Sequence, residues 1–242
     1  MAEAIPPVAK RRRIDLQKTF EVLVGTGGHQ KRYTIHDDNV VHRSSFFRSA
    51  RSSPWCNGAK PVDLTDESPH NFEIYMHCVL TGEVDITTFD NGALRYIEYF
   101  ETYALADKLG DLEVANVVID SLITEKKKGT HLPNHSDDKV AYNKTSKGSP
   151  LRQLLTFWHV HMWSGKGAQN VEMDYELFPP ELVQDIAREM IALKTANTGR
   201  LVGSVFCQDV QKMPKCLYHQ HNDHHPSCAD ATIREVKEGT GK

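Results

Sequence analysis

The chain has 242 residues, 39% of them hydrophobic and 25% charged, with a formal net charge of −3. That composition suits a soluble globule of one ordinary domain plus a smaller unit, and the slightly acidic balance argues against direct nucleic-acid binding. With no apolar run near the ~18 residues of a membrane span and no signal-peptide core, no membrane association is expected, and an intracellular protein of the nucleus, the cytoplasm or both is.

Residues 1–17 read as a disordered basic tail. Pro6 and Pro7 disfavour helix, and Lys10, Arg11, Arg12 and Arg13 form a continuous basic cluster. In "PPVAKRRRID" that cluster looks like a nuclear import signal; a solvated tail is the alternative. The five cysteines are an odd number and suit reduced thiols better than a disulfide framework. The sequons at Asn134 and Asn143 then read as chance matches.

A first domain spans residues 18–126. "FEVLVGTGGHQKRYTIH" alternates as two strands, with Val22 and Val24 on one face and Tyr33 and Ile35 on another. Gly25, Gly27 and Gly28 lie between them. No Lys-Ser/Thr follows these glycines, so they read as a hairpin turn rather than a phosphate cradle. "DDNVVHRSSFFRSARSS" reads as one helix, capped by Asp38, with Val40, Val41, Ser44 and Phe47 on its apolar face. "KPVDLTD" is a short strand. Ser68 then caps a helix with Pro69 in its first position. Phe72, Tyr75, Met76, Val79 and Leu80 form its buried stripe, and Gly82 ends it. His77 and Cys78, in the same helix, read as packing residues. In the next helix Leu94, Ile97, Phe100, Ala104 and Leu105 face the core, with Tyr96, Tyr99 and Tyr103 at the rim. Gly110 closes it and Asp111 caps the following helix, whose core residues are Leu112, Ala115, Ile119 and Leu122.

Strand, glycine turn, strand, helix, strand and paired helices: this order resembles the BTB/POZ domain. "IHDDNVVHRSSFFR" is similar to the family's His-x-x-x-Leu-x-x-x-Ser-x-x-Phe helix through His36, Val41, Ser45 and Phe47. "VDLTD" resembles its third strand. "FEIYMHCVLTGEV" resembles its Phe-to-Tyr-Thr-Gly helix, with Leu80 where tyrosine is usual. "ALADKLG" and "DL…AN…I" resemble the two helices that follow. The resemblance covers about residues 20–125. It implies an α+β BTB/POZ fold, a small three-layer sheet edge with helical hairpins, here followed by a small α-helical unit. The region beyond is similar to the tails of fungal-type BTB proteins without Kelch repeats or zinc fingers.

What the resemblance implies is a non-enzymatic protein-interaction module. Its partners are proteins, either a second copy in a homodimer or a cullin-type ubiquitin-ligase scaffold, with no small-molecule substrate; a nuclear regulator acting through dimerisation is a further alternative. Family members often carry a basic residue after the conserved histidine; Asp37 stands there, and Glu21 lies in the first strand, so the acid–base pair of repressor-type dimers is not available. Cullin-binding members carry an apolar-x-Glu element, and here Trp55-Cys56-Asn57 occupies that place. Trp55 supplies an apolar anchor, but Asn57 replaces the glutamate and forgoes a charge-assisted contact of ~1.5–3 kcal/mol.

Residues 127–149, polar and broken by glycine and proline, read as a linker. A helical extension covers 150–196. Leu151, Leu154, Leu155, Trp158 and Met162 line its first helix. Leu182, Ile186, Met190 and Leu193 line the second, which opens after Pro179-Pro180. Two such helices cannot form a core alone and are expected to pack on the first domain, on each other or on a partner. Residues 197–242 form a weakly structured tail containing cysteine and histidine. Cys216, His219, His225 and Cys228 are residue types zinc accepts, but the loop of five residues between His219 and His225 is short for a structural site. A solvated tail explains the composition equally well, so no cofactor is expected. No nucleophile elbow, triad or phosphate loop is found, and no enzyme activity is expected.

Overall fold

The computed structural model describes residues 17–52, 60–86, 95–128, 131–162, 175–195 and 215–221. Strands β1 (Thr19–Val24) and β2 (Lys31–His36) pair antiparallel across the glycine turn. Phe20 lies opposite Ile35 and Val22 opposite Tyr33. Cross-strand partners share a face, so the two apolar sets predicted on separate faces line one face. β3 (Val62–Leu64) adds parallel to β1, giving the order β2-β1-β3.

The helix predicted from Asp38 is two pieces, α1 (Asp37–Val40) and α2 (Ser45–Ser52). The break is at Ser44, which is buried. Its hydroxyl donates to the Leu109 carbonyl at 2.6 Å and accepts from the Phe47 N–H at 3.1 Å. That second bond has the geometry of a helix cap, so Ser44 starts α2 instead of continuing an apolar stripe. Asp38 lies inside the first turn of α1, which His36 precedes.

α3 (Pro69–Thr81) starts with proline as predicted, although Ser68 makes no side-chain cap bond, and ends on a left-handed Gly82. Its buried residues are Asn71, Phe72, Ile74, Tyr75 and Cys78. Met76 and Val79 are half-buried and Leu80 is 64% exposed, so the stripe is turned by about one residue from the predicted one. α4 (Tyr96–Leu109) and α5 (Leu112–Lys127) pack against each other across Gly110 and Asp111. Gly110 has φ of 62°, and a Cβ there would stand 2.0 Å from the Ser45 hydroxyl. Both the left-handed conformation and the close approach require glycine. Asp111 caps α5 by accepting from the Val114 N–H at 3.1 Å.

Beyond α5 the predicted linker, residues 127–149, contains a ten-residue helix. α6 (His135–Lys144) opens with a capping box, Asn134 accepting from the N–H groups of Ser136 and Asp137 while Asp137 accepts from that of Asn134. α7 (Pro150–Met162) and α8 (Pro180–Thr195) follow. α6 packs on α4, and α7 on α6 and α8. Tyr96, Tyr99 and Tyr103 are core residues rather than rim residues. Of these, Tyr96 and Tyr103 meet the added helices, Trp158 of α7 lying edge-on to Tyr96 at 6.3 Å and Leu151 beside Tyr103, while Tyr99 meets Ser121 of α5. Ile97, predicted in the core, is 41% exposed, and Met190 of α8 is 50% exposed. Among the described residues no helix is long and apolar enough to cross a membrane.

Candidate functional site

The residues singled out for partner contact, Trp55 and Asn57, lie outside the described residues, as do Lys10, Arg11, Arg12, Arg13, His225, Cys228 and the side chain of Cys216. Of the zinc candidates His219 alone has a described side chain. Its Nε2 lies 3.0 Å from Asp120 Oδ1 of α5. Among the described residues no group of three or more His, Cys, Asp or Glu is gathered closely enough to hold a metal ion.

Three polar assemblies stand out. The first joins α3, the start of α5 and the turn between α1 and α2. Asp111, fully buried, accepts from the Tyr75 hydroxyl at 2.9 Å and pairs with Arg43 Nε at 2.8 Å. Burial and the adjacent carboxylate push the Tyr75 phenol well above its ordinary range, so it remains a donor. Cys78 lies in the same region. Burial pushes its thiol up to about 11, which leaves it protonated and a poor nucleophile at neutral pH.

The second assembly joins α6 to α7. His159 Nε2 lies 2.9 Å from Asp138 Oδ2, with both side chains almost wholly buried. Burial raises the Asp138 carboxyl, and the imidazole opposes that rise. About two turns nearer the α7 N-terminus, the Arg152 guanidinium donates to Thr145 Oγ1 at 3.1 Å and to the carbonyls of Tyr142 and Thr145. It also reaches Glu181 of α8 at 2.5 Å and lies 4.5 Å from the Tyr142 ring centre. The Asp138–His159 pair clasps α6 to α7.

The third assembly is on the surface. The 3-10 turn Lys215–Tyr218 and the residues after it lie across α5 and α7. Tyr218 is 6% exposed, its ring 6.0 Å from that of Phe157. A cleft of about 390 Å³ runs beside it, lined by Lys147, Arg152, Phe157, Arg188, Leu217 and Tyr218 among others. Sequence reasoning missed Asn116 and Asp120, the α5 residues that meet this segment. They read as the solvent face of an amphipathic helix, and nothing local marks a partner about 100 positions away.

On the hairpin side, Glu21 pairs with Arg32 at 2.6 Å and Asp37 with Arg51 at 3.3 Å. Both acids are engaged within the chain. No family model matches the sequence, and no curated protein matches it.

Proposed function

We propose that this chain is a non-enzymatic protein–protein interaction module of the BTB/POZ type. What supports the reading above all is the order of elements. An antiparallel hairpin ending at His36, a broken helix in which Ser44 and Phe47 are buried, a third strand parallel to the first, and then α3 and the α4–α5 pair follow one another. The mixed α+β architecture is the one such a module needs. The work of the fold is to present surfaces, and its polar assemblies bind helices together. Self-association is the favoured role. The intrachain pairing of Glu21 and Asp37 leaves the repressor-type charge exchange without its basic partner, so contact between copies rests on apolar burial.

Sedimentation equilibrium on the full chain tests this reading, with calorimetry against a cullin N-terminal domain as the second arm. A dimer mass that persists in high salt is the expected result, since apolar contact is not screened. A monomer that binds the cullin domain and loses that binding in Trp55→Ala would make the chain a ligase adaptor instead. A monomer silent toward the cullin domain overturns self-association and adaptor roles together.

A further inference from the structure

The segment Leu217–Gln220 is held on the face of α5 and α7 as a peptide ligand is held. The Asn116 carboxamide makes both hydrogen bonds that one residue's main chain can offer. Its Oδ1 accepts from the Gln220 N–H at 2.9 Å, and its Nδ2 donates to the Gln220 carbonyl at 3.0 Å. This is recognition of backbone, indifferent to the side chain at 220. One helical turn further along α5, Asp120 accepts the His219 imidazole at 3.0 Å. On the α7 side, Tyr218 is buried against Phe157, while Leu217 beside it is 56% exposed at the cleft. An aromatic anchor on a 3-10 turn, a neighbouring side chain read by charge, and a main-chain clamp together give affinity and specificity for a short peptide.

The segment's hold is also local. One large side chain is buried, flanked by polar contacts at the surface, whereas Val118, Ile119 and Leu122 of α5 are fully buried. A piece with so little buried apolar area is drawn from the low-stability end of a fold and opens without global unfolding.

We infer that the α5–α7 face is a peptide-docking groove, filled in cis by Leu217–Gln220, whose ligand is a short peptide that carries its aromatic residue on a 3-10 turn and a histidine directly after it. Asn116 clamps the main chain, Asp120 selects the imidazole and the Phe157 pocket takes the aromatic ring. A peptide of this chemistry in trans competes with the chain's own segment, so the groove responds to partners when the segment is released. The inference stands independently of the BTB/POZ reading.

The test uses the full chain and an acetylated, fluorescently labelled peptide LYHQHN, residues 217–222. Tyr218→Ala removes the internal competitor's anchor. The expected result is peptide binding at least about tenfold tighter to Tyr218→Ala than to the unaltered chain, lost again in Tyr218→Ala/Asn116→Ala. A peptide that binds neither protein, or binds irrespective of Asn116, overturns the groove. Hydrogen exchange on the unaltered chain is the second measurement and needs no variant. The Gln220 amide should exchange at least about tenfold faster than that of Val118, through local opening. Exchange of both at one rate would make the segment a fixed part of the core and overturn the inference.

Discussion

Residues 17–128 and helices α6 to α8 are held together by different means. In the first region the interior is mainly apolar: Val22, Val24, Phe47, Phe72, Phe100 and Leu109 are wholly buried around the sheet and the α3–α5 helices. In the second, Leu151, Leu154, Leu155 and Trp158 share the interior with Arg152, Thr156, His159 and Asp138. Apolar burial is non-directional and tolerates modest changes of shape. Buried polar groups are directional, and each costs free energy unless its partner is in place. The first region should therefore yield to loss of volume and the second to loss of geometry. The Asp111–Tyr75–Arg43 assembly is one of the first region's polar exceptions, as is buried Ser44, and lies where α3, the start of α5 and the turn between α1 and α2 meet.

The largest effect is expected for volume. Phe47→Ala or Phe72→Ala should cost ~3–5 kcal/mol, from lost transfer free energy plus a cavity. Urea unfolding with an unchanged slope and a lower midpoint is the readout. An unaltered midpoint in either variant would remove that ring from the core and break the contrast at its apolar end.

That contrast also decides what is legible in the sequence. The hairpin, β3, the proline start of α3 and the glycine ends of α3 and α4 follow from local rules: alternation, turn glycines and missing N–H groups. α6 hides because "HSDDKVAYNK" lacks an apolar stripe. Asp137 and Asp138 look solvated, yet one closes a capping box and the other meets His159. The tyrosines of α4 read as rim residues for a related reason, since α6, which packs on α4, carries no apolar stripe of its own. At Ser44 a polar residue in an apolar register ends one helix and starts another, because its hydroxyl satisfies the next turn. Of the candidate surface assembly, Tyr218 and His219 draw notice as part of a histidine-rich tail. Asn116 and Asp120 do not, because a contact across 104 positions leaves no local pattern.

A middle-sized effect sharpens the polar end. Arg152→Lys keeps the charge but replaces a planar fork with a point donor. The Tyr142 and Thr145 carbonyls, both served by one guanidinium nitrogen, cannot both be reached along with Thr145 Oγ1 and Glu181. The expected loss is ~1–3 kcal/mol, the cost of leaving one buried acceptor without a donor. An equal loss in Arg152→Met, which keeps much of the stem's packing and no donor, would show that the second contact adds nothing. A lysine variant as stable as the parent would mean that charge, rather than fork geometry, holds α6, α7 and α8 together.

The smallest effect compares two carboxylates, one from each region. Burial alone raises the Asp107 carboxyl of α4, whereas at Asp138 the rise is opposed by the His159 imidazole. Raising the folded pKa means that the native state keeps a proton which the unfolded chain has already lost. Stability contributed by Asp107 therefore falls as pH rises from the ordinary aspartate range through its folded pKa, and the penalty is constant above that. Asp107→Asn should abolish this fall and leave the protein more stable at neutral pH by tenths of a kcal/mol, on the order expected for a half-buried group. At pH low enough to protonate both states the two proteins should converge. Asp138→Asn should move the other way at neutral pH, because the gain from neutralising a buried carboxylate is outweighed by loss of the charged acceptor 2.9 Å from the buried His159 Nε2. Parallel pH–stability curves for the two variants are the measurement. If both asparagines stabilise alike, His159 is no partner in energy terms, and α6 is held by apolar contact as the first region is.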